Sequence, residues 1–144
     1  MSTTRISFDP RPDAQRAGVY RAGACNIGPA EIARRRTFGL TGLAVSALVA
    51  LALLAAGAPA IVRLLVGLPV AGSAIGLIQA RLRFCAAFGF AGLRNFGVVG
   101  HEERIADAAA RRADRGMALR IIAAGSLVGL VAGVALAVIP LVPR

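Results

Sequence analysis

Residues 38–80 read FGLTGLAVSALVALALLAAGAPAIVRLLVGLPVAGSAIGLIQA and contain one charge, Arg63. Residues 38–62 form an uncharged run of 25, and 64–80 add 17 more. One membrane span takes about 20 apolar residues, so this stretch holds two helices. Glycine and proline together make the break at Gly57-Ala58-Pro59-Ala60. The spacing predicts one spanning helix over 38–56 and a second over 60–80. Arg63 falls in the first turn of the second, from where it is expected to snorkel to the headgroups. Pro69 predicts a kink.

Working outward, Ile121 to Ile139 is a third apolar run, stopped by Pro140 and Pro143. It predicts a spanning helix over 119–139. Phe84 to Leu93 is too short to span and ends at Arg94. With Phe84, Phe88 and Phe96 at helical spacing, 81–100 reads as an interfacial or re-entrant segment. The fold class is therefore all-α: a polytopic membrane protein of three transmembrane helices, with short interfacial and amphipathic helices on the cytoplasmic side. Composition agrees, with 57% hydrophobic and 17% charged residues in 144, against about 25% charged in an ordinary globular chain. That excludes a largely disordered chain and a soluble enzyme, and two cysteines exclude a disulfide scaffold. Residues 1–28 read as a flexible basic tail, and 29–144 as a single membrane domain.

All 17 basic residues are arginine, which with the abundant alanine points to a GC-rich bacterial genome. Seven lie in 1–37, eight in 81–120, and only Arg63 and Arg144 elsewhere. Three spans put the first two segments on one side. The positive-inside rule then places the N-terminus in the cytoplasm and the C-terminus outside, in a bacterial inner membrane. Net charge +10 does not imply nucleic acid as partner, because the arginines flank apolar runs and no basic face is interleaved with aromatics. Arg35-Arg36-Thr37-Phe38, followed by Ala58-Pro59-Ala60, also matches a twin-arginine export signal with a cleavage site. The long preceding segment and the two apolar runs left after cleavage favour a membrane helix with basic flanks.

Before the first span comes Cys25-Asn26-Ile27-Gly28-Pro29-Ala30-Glu31-Ile32, then Arg34, Arg35 and Arg36. Pro29 suits a first helical position, Gly28 an N-cap, and Glu31 the positive helix end. A short helix is expected to start at Pro29 and run into the first span, with Glu31 and Arg35 spaced for an i,i+4 pair. Arg34, Arg35, Arg36, Arg81 and Arg83 mark the membrane surface, where anionic lipid headgroups are the expected partner. Residues 102–116 read as an amphipathic helix opened by Glu102 and Glu103, supported by an Asp107–Arg111 pair, with a weak joint at Gly116. With Gln79-Ala80-Arg81 and Phe84-Cys85, the Cys-Asn-Ile-Gly-Pro-Ala-Glu-Ile string resembles a group of uncharacterised small bacterial integral membrane proteins. The resemblance spans about residues 20–140 and brings no activity with it.

Cys25, Cys85 and His101 fall on one predicted side. They are candidates for a thiol pair, with Arg81 and Arg83 lowering the Cys85 pKa, or for a metal site completed by Glu102. Against this, no C-x-x-C is present, and packing alone accounts for many free cysteines. No cofactor is expected. No acidic residue or histidine lies inside a span, which ranks a small oligomeric channel or transporter last. Gly72 and Gly76 are one small-residue step in the second span. Gly125, Gly129, Gly133 and Ala137 form a longer stripe in the third, expected to face another helix or a second copy. The sequence thus favours a non-enzymatic membrane protein, an accessory subunit or self-associating scaffold in a homo-oligomer or larger membrane complex. A thiol or metal protein using Cys25 and Cys85 is the alternative.

Overall fold

A computed structural model describes residues 19–140. The tail arginines at 5, 11 and 16, together with Pro143 and Arg144, lie outside the described residues. The elements in order are α1 (Pro29–Ala55), α2 (Ala60–Leu64), α3 (Gly67–Leu82), α4 (Ala86–Ala91), β1 (Leu93–Arg94), β2 (Glu103–Arg104) and α5 (Ala108–Val138). Three helical units, Pro29–Ala55, Ala60–Leu82 and Ala108–Val138, are long and apolar enough to cross a membrane. The chain is an all-α, multi-pass membrane protein.

Pro29 starts α1, which runs unbroken through the arginine triplet into the apolar run. The second span is interrupted, and the break lies at Leu65–Val66 instead of at Pro69. Proline acts one turn upstream: it has no N–H for the carbonyl four residues back, and its ring crowds that carbonyl. The Leu65 carbonyl is instead met by Leu68 N–H at 3.1 Å, within a tightened turn.

Along the chain's third apolar run, α5 has 31 residues, about 46 Å at 1.5 Å each, well beyond a hydrocarbon core of about 30 Å. Its charged first turns therefore stand clear of the bilayer. The helix expected over 102–116 begins only at Ala108, because Asp107 is the N-cap: its carboxylate accepts from Ala109 N–H at 3.0 Å and Ala110 N–H at 3.2 Å. Glu103 is instead paired in β2, opposite Arg94, with a surface ion pair of 2.9 Å. Arg111 turns from Asp107 to the carbonyls of Ile105 and Ala106. Nothing breaks the helix at Gly116.

Between the other two long helices lies α3, packed on α5 on one side and α1 on the other. Apolar burial drives little association in lipid, so close backbone approach must do it. On the α5 side, Gly125, Gly129 and Gly133 are buried against Ile75, Ala71, Gly67 and Leu64. A Cβ on Gly133 would stand 2.6 Å from the Leu64 carbonyl oxygen, where no side chain fits. On the α1 side, Gly39 lies against Leu77, and Gly76 against the Gly39 backbone. Ala137 is only half-buried, and Gly72 has open space where a side chain would stand. The large apolar residues of α1 and α5, such as Leu48, Leu51, Leu127 and Val131, point outward, as lipid-facing surface does.

Arg63 is 5% exposed and does not snorkel. Its guanidinium donates to the carbonyls of Leu136 and Ile139, both at 2.9 Å, closing the end of α5. Those carbonyls have no partner within the helix, and a cation suits the negative helix end.

Candidate functional site

The arginine-rich end of the spans carries a polar cap. Its centre is Asn26, fully buried. The Asn26 side chain takes Cys85 N–H on Oδ1 at 2.6 Å and donates from Nδ2 to the Cys85 carbonyl at 3.1 Å. One amide thus satisfies both backbone groups of a buried residue, as a neighbouring strand would. The Asn26 backbone continues the pattern, donating to the Arg83 carbonyl and accepting from Asn95 N–H at 2.9 Å. Gly28 N–H closes it on the Asn95 carbonyl at 2.7 Å. Residues 26–28 are thereby held between the end of α3 and the segment after α4.

A second anchor is Asp114 on α5, also fully buried. Its carboxylate accepts from Gly23 N–H at 2.6 Å and from the Tyr20 hydroxyl at 3.0 Å. Burial pushes the Tyr20 phenol up to about 12, aided by the hydrogen bond to Asp114 and that carboxylate's charge; Arg94, 5.5 Å from the ring centre, opposes the shift. Beneath the cap, Phe84, Ala86, Ala118 and Ile121 form a small apolar core.

The cysteines are both free. Cys85 is wholly buried, and its Sγ caps α4 by accepting from Phe88 N–H at 3.4 Å. Burial pushes its thiol up, the reverse of the lowering expected from Arg81 and Arg83, both of which are exposed. Cys25 is half-buried, with Sγ turned to the Ile27 carbonyl. His101 and Glu102 lie exposed on the loop before β2. Among the described residues no three histidine, cysteine or acidic side chains gather as a metal site.

Of the surface arginines, Arg36, Arg81 and Arg83 line a concavity of about 560 Å³ beside Cys25 and Pro29. Arg104, Arg111 and Arg115 line another of about 540 Å³. Arg34 and Arg35 lie on a different side of α1, both facing Glu31. Glu31 is a buried partner: it is 1% exposed, 3.4 Å from Arg35 and 3.8 Å from Arg34. Asn26 and Asp114 were not legible as functional positions, because each is a lone polar residue whose side-chain partners are remote in sequence; Asn95 and Gln79 bond within seven residues, to groups that no pattern marks. The Cys-Asn-Ile-Gly-Pro string around Asn26 was the one local signal.

Comparison of the chain with protein-family models, curated proteins and solved structures finds no match. The class that fold and site define is a three-span membrane protein with a hydrogen-bonded, arginine-bordered cap at one end.

Proposed function

We propose that the chain is a non-enzymatic accessory subunit of a bacterial inner-membrane complex, with the N-terminus cytoplasmic, recruited through the basic face of its cap. The observation that carries this reading is the concavity bordered by Arg36, Arg81 and Arg83. Three arginines from two chain segments line it, which suits recognition of an anionic surface. The internal use of Gly125, Gly129 and Gly133 also favours this reading over a self-associating scaffold built on that stripe. The buried Cys85 thiol gives redox chemistry no accessible sulfur at that position.

The test is native electrophoresis of membranes solubilised in mild detergent. The wild-type chain should migrate in an assembly larger than itself, and the Arg36→Gln/Arg81→Gln/Arg83→Gln variant should fall to free chain. Wild type running as free chain, or an unchanged assembly in the variant, contradicts the reading.

A further inference from the structure

We propose that a groove between α1 and α3 is a binding site for one anionic phospholipid, with the phosphate at Arg34 and Arg35 and an acyl chain along Gly76 and Gly72. The inference rests on the membrane reading of the three helices, but uses arginines other than those of the recruitment face.

The groove holds about 340 Å³ and is polar at one end only. At its mouth stand Arg34 and Arg35, in the layer where headgroups lie. Glu31 offsets one of these two charges, leaving one guanidinium in excess. Arg34 is 65% exposed and held to Glu31 only at 3.8 Å, so it is free to turn to a phosphate. Just inside lies Gln79, 6% exposed. Its orientation is fixed, because Oε1 must face the Ala86 N–H that donates to it at 3.1 Å. That leaves Nε2 free in the wall of the groove, and at the mouth Arg35 Nε is a buried donor with no partner among the described residues. A phosphate or ester oxygen supplies the acceptor it lacks.

Deeper, the wall turns apolar. Phe38 borders it, and Gly76 and Gly72 form its floor. At Gly72 a Cβ would meet nothing within 4 Å, unlike the glycines packed against neighbouring helices. From Gln79 to Gly72 is seven residues, about 10 Å along the helix, or two-thirds of one leaflet of a core about 30 Å thick. A donor-lined mouth over a smooth trough of that depth matches a phosphate joined to an acyl chain better than a free anion.

Native mass spectrometry of the chain released from nanodiscs tests this, using phosphatidylglycerol and phosphatidylcholine with the same acyl chains. Wild type should retain one phosphatidylglycerol at least tenfold more often than phosphatidylcholine. Gly72→Leu fills open space, so it should fold like wild type yet lose the retained lipid. Arg34→Gln, at an exposed side chain, should bring the two lipids to equal retention. Millimolar glycerol phosphate should displace nothing. Equal retention by wild type, undiminished phosphatidylglycerol on Gly72→Leu or on Arg34→Gln, or displacement by glycerol phosphate would each overturn the proposal. Failure of the chain to enter the bilayer would instead remove the membrane reading beneath it.

Discussion

The α3–α5 contact and the cap are both tightly packed, but by opposite means. Between α3 and α5 the contact depends on missing side chains: Gly67, Gly125, Gly129 and Gly133 let two backbones meet. In the cap it depends on single polar side chains that substitute for secondary structure. Asn26 acts as a strand for Cys85, and Asp114 tethers Tyr20 and Gly23. The first region is uniform and tolerates no added bulk. The second is fully specified and tolerates no lost partner. Lipid accounts for the difference: without water to expel, the spans gain from close approach, whereas the cap, beyond the hydrocarbon, is held by hydrogen bonds between buried polar groups.

The largest expected effect breaks the first region. Gly129→Leu places a side chain against the backbone of Gly67 and Ala71. Overpacking costs up to about 3 kcal/mol in ordinary cores, and here the obstacle is backbone, so more than that is expected. Val131→Leu, at a position 60% exposed on the same helix, should be neutral. Unfolding in mixed micelles compares the two, and equal stability would mean that α5 does not pack on α3 through this face.

Next in size, Asn26→Ala should cost about 1–3 kcal/mol, since it leaves the buried Cys85 N–H unpaired, while the Cys85 carbonyl keeps the Gly89 N–H. The loss should be confined to the cap. Hydrogen exchange should rise across 83–107, while protection in α5 beyond Ile121 stays unchanged. Uniform loss of protection would make cap and spans one cooperative unit and erase the distinction.

The smallest effect reads Asp114 through the only tyrosine in the chain. With its pKa raised from 10.0 to about 12, Tyr20 favours the fold while protonated. Its contribution is complete below pH 10 and lost as pH rises through 12. Ultraviolet titration should show the raised midpoint, and Asp114→Asn, which removes the carboxylate charge, should move it back toward 10.0. A midpoint of 10.0 in the wild type would mean that Tyr20 does not dock on Asp114.

These two regions also divide what the sequence reveals. Runs without charge mark the spans, because only apolar segments of sufficient length survive in hydrocarbon. The turn at 57–60 and the start at Pro29 follow from local backbone chemistry. Pro69 disclosed a break but not its place, since the strain falls on Leu65, one turn upstream. Arg63 looked like a snorkelling residue because nothing local announces that the end of α5, 73 residues away, needs a donor. The cap is opaque for the same reason. Asn26 and Cys85 are 59 residues apart, and Tyr20 and Asp114 are 94 apart. Glu102 and Glu103 formed a plausible helix start, and only the competing strand pair and the stronger cap at Asp107 displaced it.

The proposed topology puts the cap and the Gly57–Pro59 turn on opposite sides of a membrane, with the cap inside. The direct measurement is labelling with a membrane-impermeant maleimide, using a chain in which Cys25 is replaced by serine and a single cysteine is introduced at Ala58 or at Glu102. Both positions are at least partly exposed, and Cys85 is wholly buried. Ala58→Cys should label in intact cells, and Glu102→Cys only after the membrane is opened. Labelling of both in intact cells, or the reverse order, would contradict the account.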